Sequence, residues 1–117
     1  MGWKDNFAQG KELTLATCSN DNPNSNIVIS LGFIDNKLLI ADCSMQTTLK
    51  NLQQNPKICI TSNYLRIKGK AEIFSQGKYF DICKEIVAKQ DKTLKVKNAI
   101  LITIENVFDL NKQEVLF

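Results

Sequence analysis

This chain of 117 residues is long enough for one domain with a single core, and its 44% hydrophobic and 23% charged residues are those of an ordinary globular protein. It contains no histidine, which excludes Ser-His-Asp and Cys-His catalysis, His-ligated haem iron and Cys/His zinc fingers. The formal net charge of +3 is mild, so the composition tolerates anionic ligands without requiring nucleic acid.

Nothing in the sequence indicates a membrane protein or a second domain. No apolar run approaches the ~18 residues of a membrane span, and the first residues lack the apolar region of a signal peptide. No linker or repeat divides the chain. We therefore predict one domain over residues 1–117 and a cytoplasmic location without membrane association.

The cysteines are widely spaced and form no C-x-x-C pair; they are Cys18, Cys43, Cys59 and Cys83. A disulfide scaffold or a zinc site would need closer or patterned spacing, so we predict free thiols and no metal site. Cys43 lies just before a predicted helix start, where a lowered pKa would make a thiol redox-active. The alternative is a buried structural thiol, which is common for cysteine.

Periodicity along the chain predicts about six strands and two or three short helices. After a lead-in at 3–10, strands are predicted at 12–19, 26–34, 37–42, 58–61, 64–74 and 99–107, and helices at 47–54 and 78–90. Tight turns between consecutive strands favour an antiparallel sheet. Because the helices are too few to cover both faces, we expect the sheet to close into a small barrel.

The strand predicted at 26–34 has the clearest alternation. Its bulky face is expected to lie in the core and consists of Ile27, Ile29, Leu31 and Phe33. The other face is small and partly polar and consists of Asn26, Val28, Ser30 and Gly32. A small face lets a neighbouring chain or a flat ligand approach closely, although a solvated face would have the same composition.

The stretch 42–52 is the most informative about function, because a strand end runs there into the hydroxyl-rich start of a helix. Such a start leaves backbone N–H groups unpaired and carries the positive end of the helix dipole, so it can hold a phosphate. Thr47 and Thr48 could either contact that phosphate or cap the helix.

Several short motifs, in order and spacing over roughly residues 12–75, resemble the FMN-binding split-barrel family, also called pyridoxamine 5′-phosphate oxidase-like. They are Leu15-Ala16-Thr17 with the turn 18–23, the strand 28–33, Thr48-x-x-Asn51-Leu52 with Asn55-Pro56-Lys57-Ile58, and Ile67-Lys68-Gly69-Lys70-Ala71-Glu72. The strand at 99–107 fits the closing strand of the family. The resemblance implies a six-stranded antiparallel split β-barrel that forms a homodimer with FMN at the subunit interface.

The resemblance also implies the residues that contact FMN. Those expected to contact the phosphate, the ribityl chain or the flavin ring are Asn26, Ile27, Val28, Ile29, Ala41, Asp42, Thr47, Thr48 and Asn51. Cations that relatives carry are missing at Leu31, Thr47 and Thr48, which argues against pyridoxamine phosphate oxidation itself. Lys68, on a strand face shared with Arg66 and Lys70, is the preferred replacement, although that face could simply be solvated.

By this resemblance the protein is a flavin-dependent oxidoreductase or electron carrier, supplied by a small-molecule or redox-protein electron donor. We assign no catalytic acid or base, because Asp42 could equally hydrogen-bond turn amides at its strand end. One alternative is a deazaflavin or another cofactor in the same groove. Another is a cofactor-free module that binds single-stranded nucleic acid on the basic face, which is disfavoured because no aromatic residue lies between Tyr64 and Phe74.

Overall fold

Alternating apolar residues build eight antiparallel strands in the computed structural model, which describes residues 2–117. The strands are β1 (Glu12–Ser19), β2 (Asn22–Ile29), β3 (Phe33–Ile34), β4 (Lys37–Asp42), β5 (Lys57–Ser62), β6 (Leu65–Phe74), β7 (Asn98–Asp109) and β8 (Glu114–Val115). The helices are α1 (Thr47–Gln54) and α2 (Lys78–Gln90), preceded by a 3-10 turn at Trp3–Phe7. The predicted mainly-β fold with two or three short helices is confirmed.

The strand count and the closure of the barrel differ from the prediction. The order along the sheet is β2-β1-β5-β6-β7-β4-β3, with β8 on β7, so the hydrogen-bonded ladder has two ends and is not closed. The two extra strands, β3 and β8, contain two residues each, which is too short for periodicity to reveal. Two backbone hydrogen bonds join β4 to the segment that follows β2: the Leu31 amide donates to the Leu39 carbonyl, and the Leu39 amide donates to the Gly32 carbonyl.

One core lies inside the curved sheet and follows the predicted alternation of β6. Leu65, Ile67 and Ala71 point inward and are buried, whereas Lys68 and Lys70 between them are exposed. Leu52 of α1 packs against this core and covers one end of it. The inward face of β6 therefore confirms the expectation from its sequence.

A second core forms where α2 packs on β4 and β7. Cys83 and Val87 of the helix pack with Leu39 of β4 and with Ala99 and Leu101 of β7. The first core already takes the alternate residues of these two strands. As a result β4 and β7 are buried on both faces over much of their length.

The prediction for the strand at 26–34 is wrong in its bounds and in its buried face. The strand starts at Asn22 and ends at Ile29, and Val28, opposite the buried Leu13, is its core residue. Ile27 is 66% exposed and Ile29 is 45% exposed. Ile27 and Ile29, which alternation predicted to be internal, therefore lie on the surface of the molecule.

The strand stops early because the chain turns inward after Ile29. Ser30 is fully buried, and its hydroxyl donates to the Phe7 carbonyl at 2.6 Å. Gly32 then adopts φ +91°, a conformation that favours glycine. This turn sends Leu31 into the second core, while Phe33 packs against the first.

No helix formed by residues 2–117 is long and apolar enough to cross a bilayer. The cytoplasmic location remains a prediction.

Candidate functional site

An open groove of about 260 Å³ lies between β2, the end of β4 and the C-terminal end of α2. It is lined by Asn26, Ile27, Val28, Ile29, Leu31, Ala41, Cys43, Ser44, Met45, Val87, Gln90 and Leu94. Five of the predicted site residues meet here: Asn26, Ile27, Val28, Ile29 and Ala41. Most of the lining is apolar, as is usual for a site that takes a flat ring.

Asp42 holds the edge of the groove, its rim, in place through hydrogen bonds. Its side chain is fully buried. One carboxylate oxygen accepts a hydrogen bond from the Met45 amide and the other accepts from Asn98 Nδ2, both at 2.7 Å. Its carbonyl accepts from the Lys97 amide at 2.8 Å. Asp42 therefore holds the turn into α1 and the start of β7 together, which matches its interpretation as an acceptor for turn amides.

Thr48 is placed as a link between α1 and β2. Its hydroxyl donates to Asn26 Oδ1 at 2.7 Å and accepts from Asn24 Nδ2 at 3.0 Å, and the residue is 2% exposed. A hydroxyl has a single proton to donate. Because Thr48 already donates that proton to Asn26, its role in the structure is to orient a groove residue.

Asn51 and Thr47 differ in burial, although they lie one turn apart on the same helix. Asn51 is buried, and its Nδ2 donates to Thr17 Oγ1 at 3.1 Å and to the Asn22 carbonyl at 3.2 Å, which ties α1 to the β1–β2 hairpin. Thr47 is exposed at the start of α1, and no side chain caps that start. The hydroxyls accessible near the helix start are therefore those of Thr47 and Ser44.

The family of the chain follows from a match that spans most of its length. A family model described as Pyridoxamine 5′-phosphate oxidase matches residues 4–111. The chain belongs to this family. An uncharacterized protein of Methanocaldococcus jannaschii is 33% identical over an alignment of 105 residues, and the match covers 82% of this chain and 70% of that relative. The resemblance seen in the sequence is confirmed.

Several solved structures share the fold of this chain. The HupZ protein of Group A Streptococcus superposes with a TM-score of 0.73 at 24% identity, covering 90% of this chain and 87% of that chain. An FMN-binding protein from Syntrophomonas wolfei gives 0.67 at 19% identity, covering 82% and 74%. A structure described as F420 Reductase gives 0.71 at 15% identity, covering 93% and 98%.

In this family member, Lys68 lies away from the groove. It stands opposite Cys59 on the outer face of the sheet. There it lines a separate hollow together with Lys57, Cys18 and Cys59. Within one protomer the structure therefore does not bring Lys68 to the other predicted site residues.

Cys43 lines the groove, but its environment does not activate it. Burial raises the pKa of the Cys43 thiol, and the neighbouring Asp42 charge raises it further. Burial also raises the pKa of Cys83, on the inner side of α2, to about 12, with a smaller contribution from Cys43. Since the thiolate is the reactive form, both groups are held as thiols, which favours the structural interpretation of Cys43.

Sequence reasoning missed the part of the groove that α2 supplies. Val87, Gln90 and Leu94 lie more than 50 positions after β2, and nothing in their own pattern distinguishes a groove wall from a core stripe. Ser44 and Met45 were within the stretch singled out as a phosphate site but were not assigned a contact. Their position depends on the bonds of Asp42, which only the fold reveals.

Proposed function

We propose that this protein binds FMN in the groove, at the interface of a homodimer, and works as a flavin-dependent oxidoreductase or electron carrier. The observation that carries the proposal is the family match over residues 4–111 combined with the groove. The groove gathers five residues that the resemblance assigns to the cofactor. A protein whose printed description is FMN-binding has the same fold.

The residues present fit a flavin. Ala41, Leu31 and Val87 offer a small, apolar wall against which a planar ring can pack. Asn26, Ser44 and the uncapped start of α1 supply polar groups at the side of the groove toward the helix. An uncapped helix start leaves N–H groups that a phosphate oxygen can accept from.

When bound, FMN would supply the electron-transfer chemistry. The chain's own groove residues would bind and orient the ring and limit access to it. Among the side chains of residues 2–117 that line the groove, Cys43 is the only titratable one, and burial raises the pKa of its thiol, which favours the protonated form. A hydride would therefore come from the electron donor, and a proton from that donor or from water.

A second copy of the chain would cover the exposed side of β2. Ile27 and Ile29 project from an edge strand, and natural proteins rarely leave a long apolar edge open to solvent. Both residues also line the groove, so a partner seated on them would complete its wall. Ile27→Lys should then convert a dimer into a monomer in sedimentation equilibrium.

Pyridoxamine phosphate oxidation is not part of the proposal. Leu31, which stands where the oxidases carry Lys, is 4% exposed and packs in the second core with Leu39 and Val87. The side chain at this position therefore offers no charge to a substrate phosphate. A deazaflavin remains the second candidate cofactor, because the F420 Reductase shares the fold over 93% of this chain.

The test is reconstitution of the purified protein with FMN. We expect quenching of flavin fluorescence, and at a hundredfold excess over Kd the apparent stability should rise by about 2.7 kcal/mol. Ser44→Trp should block uptake by filling the groove, whereas Ser75→Trp, in an exposed loop outside it, should not. Uptake of a deazaflavin in place of FMN would favour the second candidate. A wild-type protein that binds neither would refute both cofactor proposals, and the cofactor-free module would then be the remaining hypothesis.

A further inference from the structure

The groove fits the flavin ring, but its lining, as far as residues 2–117 form it, carries no cation for the phosphate of the proposed ligand. None of the side chains of residues 2–117 that line it is a lysine or arginine. The phosphate of FMN is largely a dianion, and such a group is normally held by a fixed cation as well as by hydroxyls and N–H groups. Beneath the rim, the buried carboxylate of Asp42 adds negative charge and makes the need greater. This need for a cation exists only if the proposed function, FMN binding in the groove, is correct.

Lys97 is a cationic residue whose backbone is hydrogen-bonded at the edge of the groove. Its amide donates to the Asp42 carbonyl at 2.8 Å, directly before the start of β7. Asp42 in turn holds the Met45 amide at 2.7 Å, next to Ser44 in the groove wall. One buried residue therefore fixes both the polar wall of the groove and the backbone of Lys97.

The backbone of Lys97 lies beside the end of β4, next to the groove wall. Asn98 turns its side chain inward, where it bonds to the fully buried Asp42. Ala99 faces the other way and packs in the second core beneath α2, with Ala41 of the groove wall. Lys97 stands directly before β7, and the hydrogen bond from its amide places its backbone beside Asp42, which lies between Ala41 and Cys43 of the groove wall.

The Lys97 ammonium is also available. Lys97 is exposed, and it takes part in none of the ion pairs among residues 2–117. By contrast, Lys70 pairs with Glu105, and Lys78 pairs with Asp35. Other nearby lysines are placed less well. Lys95 lines a different hollow beside Phe80, and Lys68 lies on the outer face of the sheet.

We propose that Lys97 holds the phosphate monoester of the cofactor, with the Ser44 hydroxyl and the start of α1 completing the anion site. This chain thereby replaces the cations absent at Leu31, Thr47 and Thr48 with one from the start of β7. The long, flexible lysine stem allows the ammonium to reach the rim from its exposed position.

The experiment compares FMN with riboflavin, which carries the same ring without the phosphate. Dissociation constants are measured by fluorescence quenching for wild type, Lys97→Gln and Lys97→Arg, with Lys95→Gln and Lys50→Gln as matched controls. Lys97→Gln should weaken FMN by about tenfold to a hundredfold and leave riboflavin unchanged, because a single charge-assisted bond to phosphate is lost. Lys97→Arg should retain most of the preference for FMN, and both controls should bind as wild type does.

The outcomes separate this inference from the proposed function. If wild type prefers FMN and Lys97→Gln keeps the same preference, the assignment of Lys97 is overturned while FMN binding stands. Loss of the preference in Lys50→Gln instead would move the cation to α1 and also overturn it. Wild type that binds neither FMN nor riboflavin would overturn the inference together with the proposed function. Thermal melts of each variant exclude unfolding as the cause of weakened binding.

Discussion

Gly69 is the position at which one added methyl group should cost this fold the most. It lies on β6 at a register irregularity, and a Cβ there would meet the Thr103 carbonyl oxygen of β7 at 2.1 Å and its carbonyl carbon at 3.1 Å. The first distance is almost an ångström shorter than the 3.0 Å that real Cβ atoms respect. The obstacle is backbone, so no side-chain rotation relieves it, and the two central strands have to separate.

We expect Gly69→Ala to lose about 3 kcal/mol of unfolding free energy, the upper end of ordinary overpacking. That is a large share of the roughly 5–15 kcal/mol that holds a small domain together. For a domain of this size it corresponds to a melting temperature lower by about 10–15 °C. Urea unfolding followed by circular dichroism measures the free energy, and calorimetry measures the melting temperature.

Two glycine controls separate the clash from other effects of the substitution. Gly77 has φ +96° and open space around its Cβ direction, so Gly77→Ala should lose only the strain of that conformation, about 1–2 kcal/mol. Gly2 has extended backbone and open space, and Gly2→Ala should stay within about 0.5 kcal/mol of wild type. A Gly69→Ala protein that melts within about 3 °C of wild type would refute the close approach of β6 and β7.

Two further predictions concern ionisable side chains. Asp35 accepts hydrogen bonds from Lys78 Nζ at 3.0 Å and Tyr79 Oη at 2.8 Å, and the bond from Lys78 is the main cause that lowers its pKa below the ordinary 3.8. The free energy of unfolding in urea should therefore be higher for wild type than for Asp35→Asn above pH 3.8, and this difference should vanish as the pH falls through the lowered pKa. A difference that persists in acid would contradict this prediction. Iodoacetamide at mildly alkaline pH should label the exposed Cys18 in the native protein, and Cys83, whose pKa burial raises to about 12, only after unfolding. Native labelling of both at equal rates, read by mass spectrometry, would show that α2 does not seal the second core.

The sequence was sufficient where each segment's own pattern decides its structure. The bounds of β1, β4, α1 and α2 agree with the predicted 12–19, 37–42, 47–54 and 78–90. In these segments the apolar period and the flanking turn residues point to the same answer. Asp35-Asn36, for example, provides the two positive φ angles that the tight turn before β4 requires.

It was insufficient where burial depends on another part of the molecule. Ile27 and Ile29 alternate like a core face, and periodicity does not distinguish a face that meets the domain interior from one that meets another chain. Thr48 and Asn51 were expected to contact FMN because of the resemblance to the family. Their hydrogen-bond partners lie 22 to 34 positions earlier in the chain, so their engagement in the fold could not be read from the helix itself.

The double burial of β7 also determines the order in which the protein can form. Until residues 98–109 have been synthesised, β4 has only the two-residue β3 beside it, and the apolar side chains of Leu38, Leu39 and Ile40 have no strand to pair with on the other side. β6 already has β5 beside it and gains its second neighbour from β7. Strands β2, β1, β5 and β6 can therefore pair as they leave the ribosome, but the sheet cannot join β4 to them until β7 has been made. Its decisive pairing is long-range and late, which predicts slow folding and a nascent chain that depends on protection from aggregation.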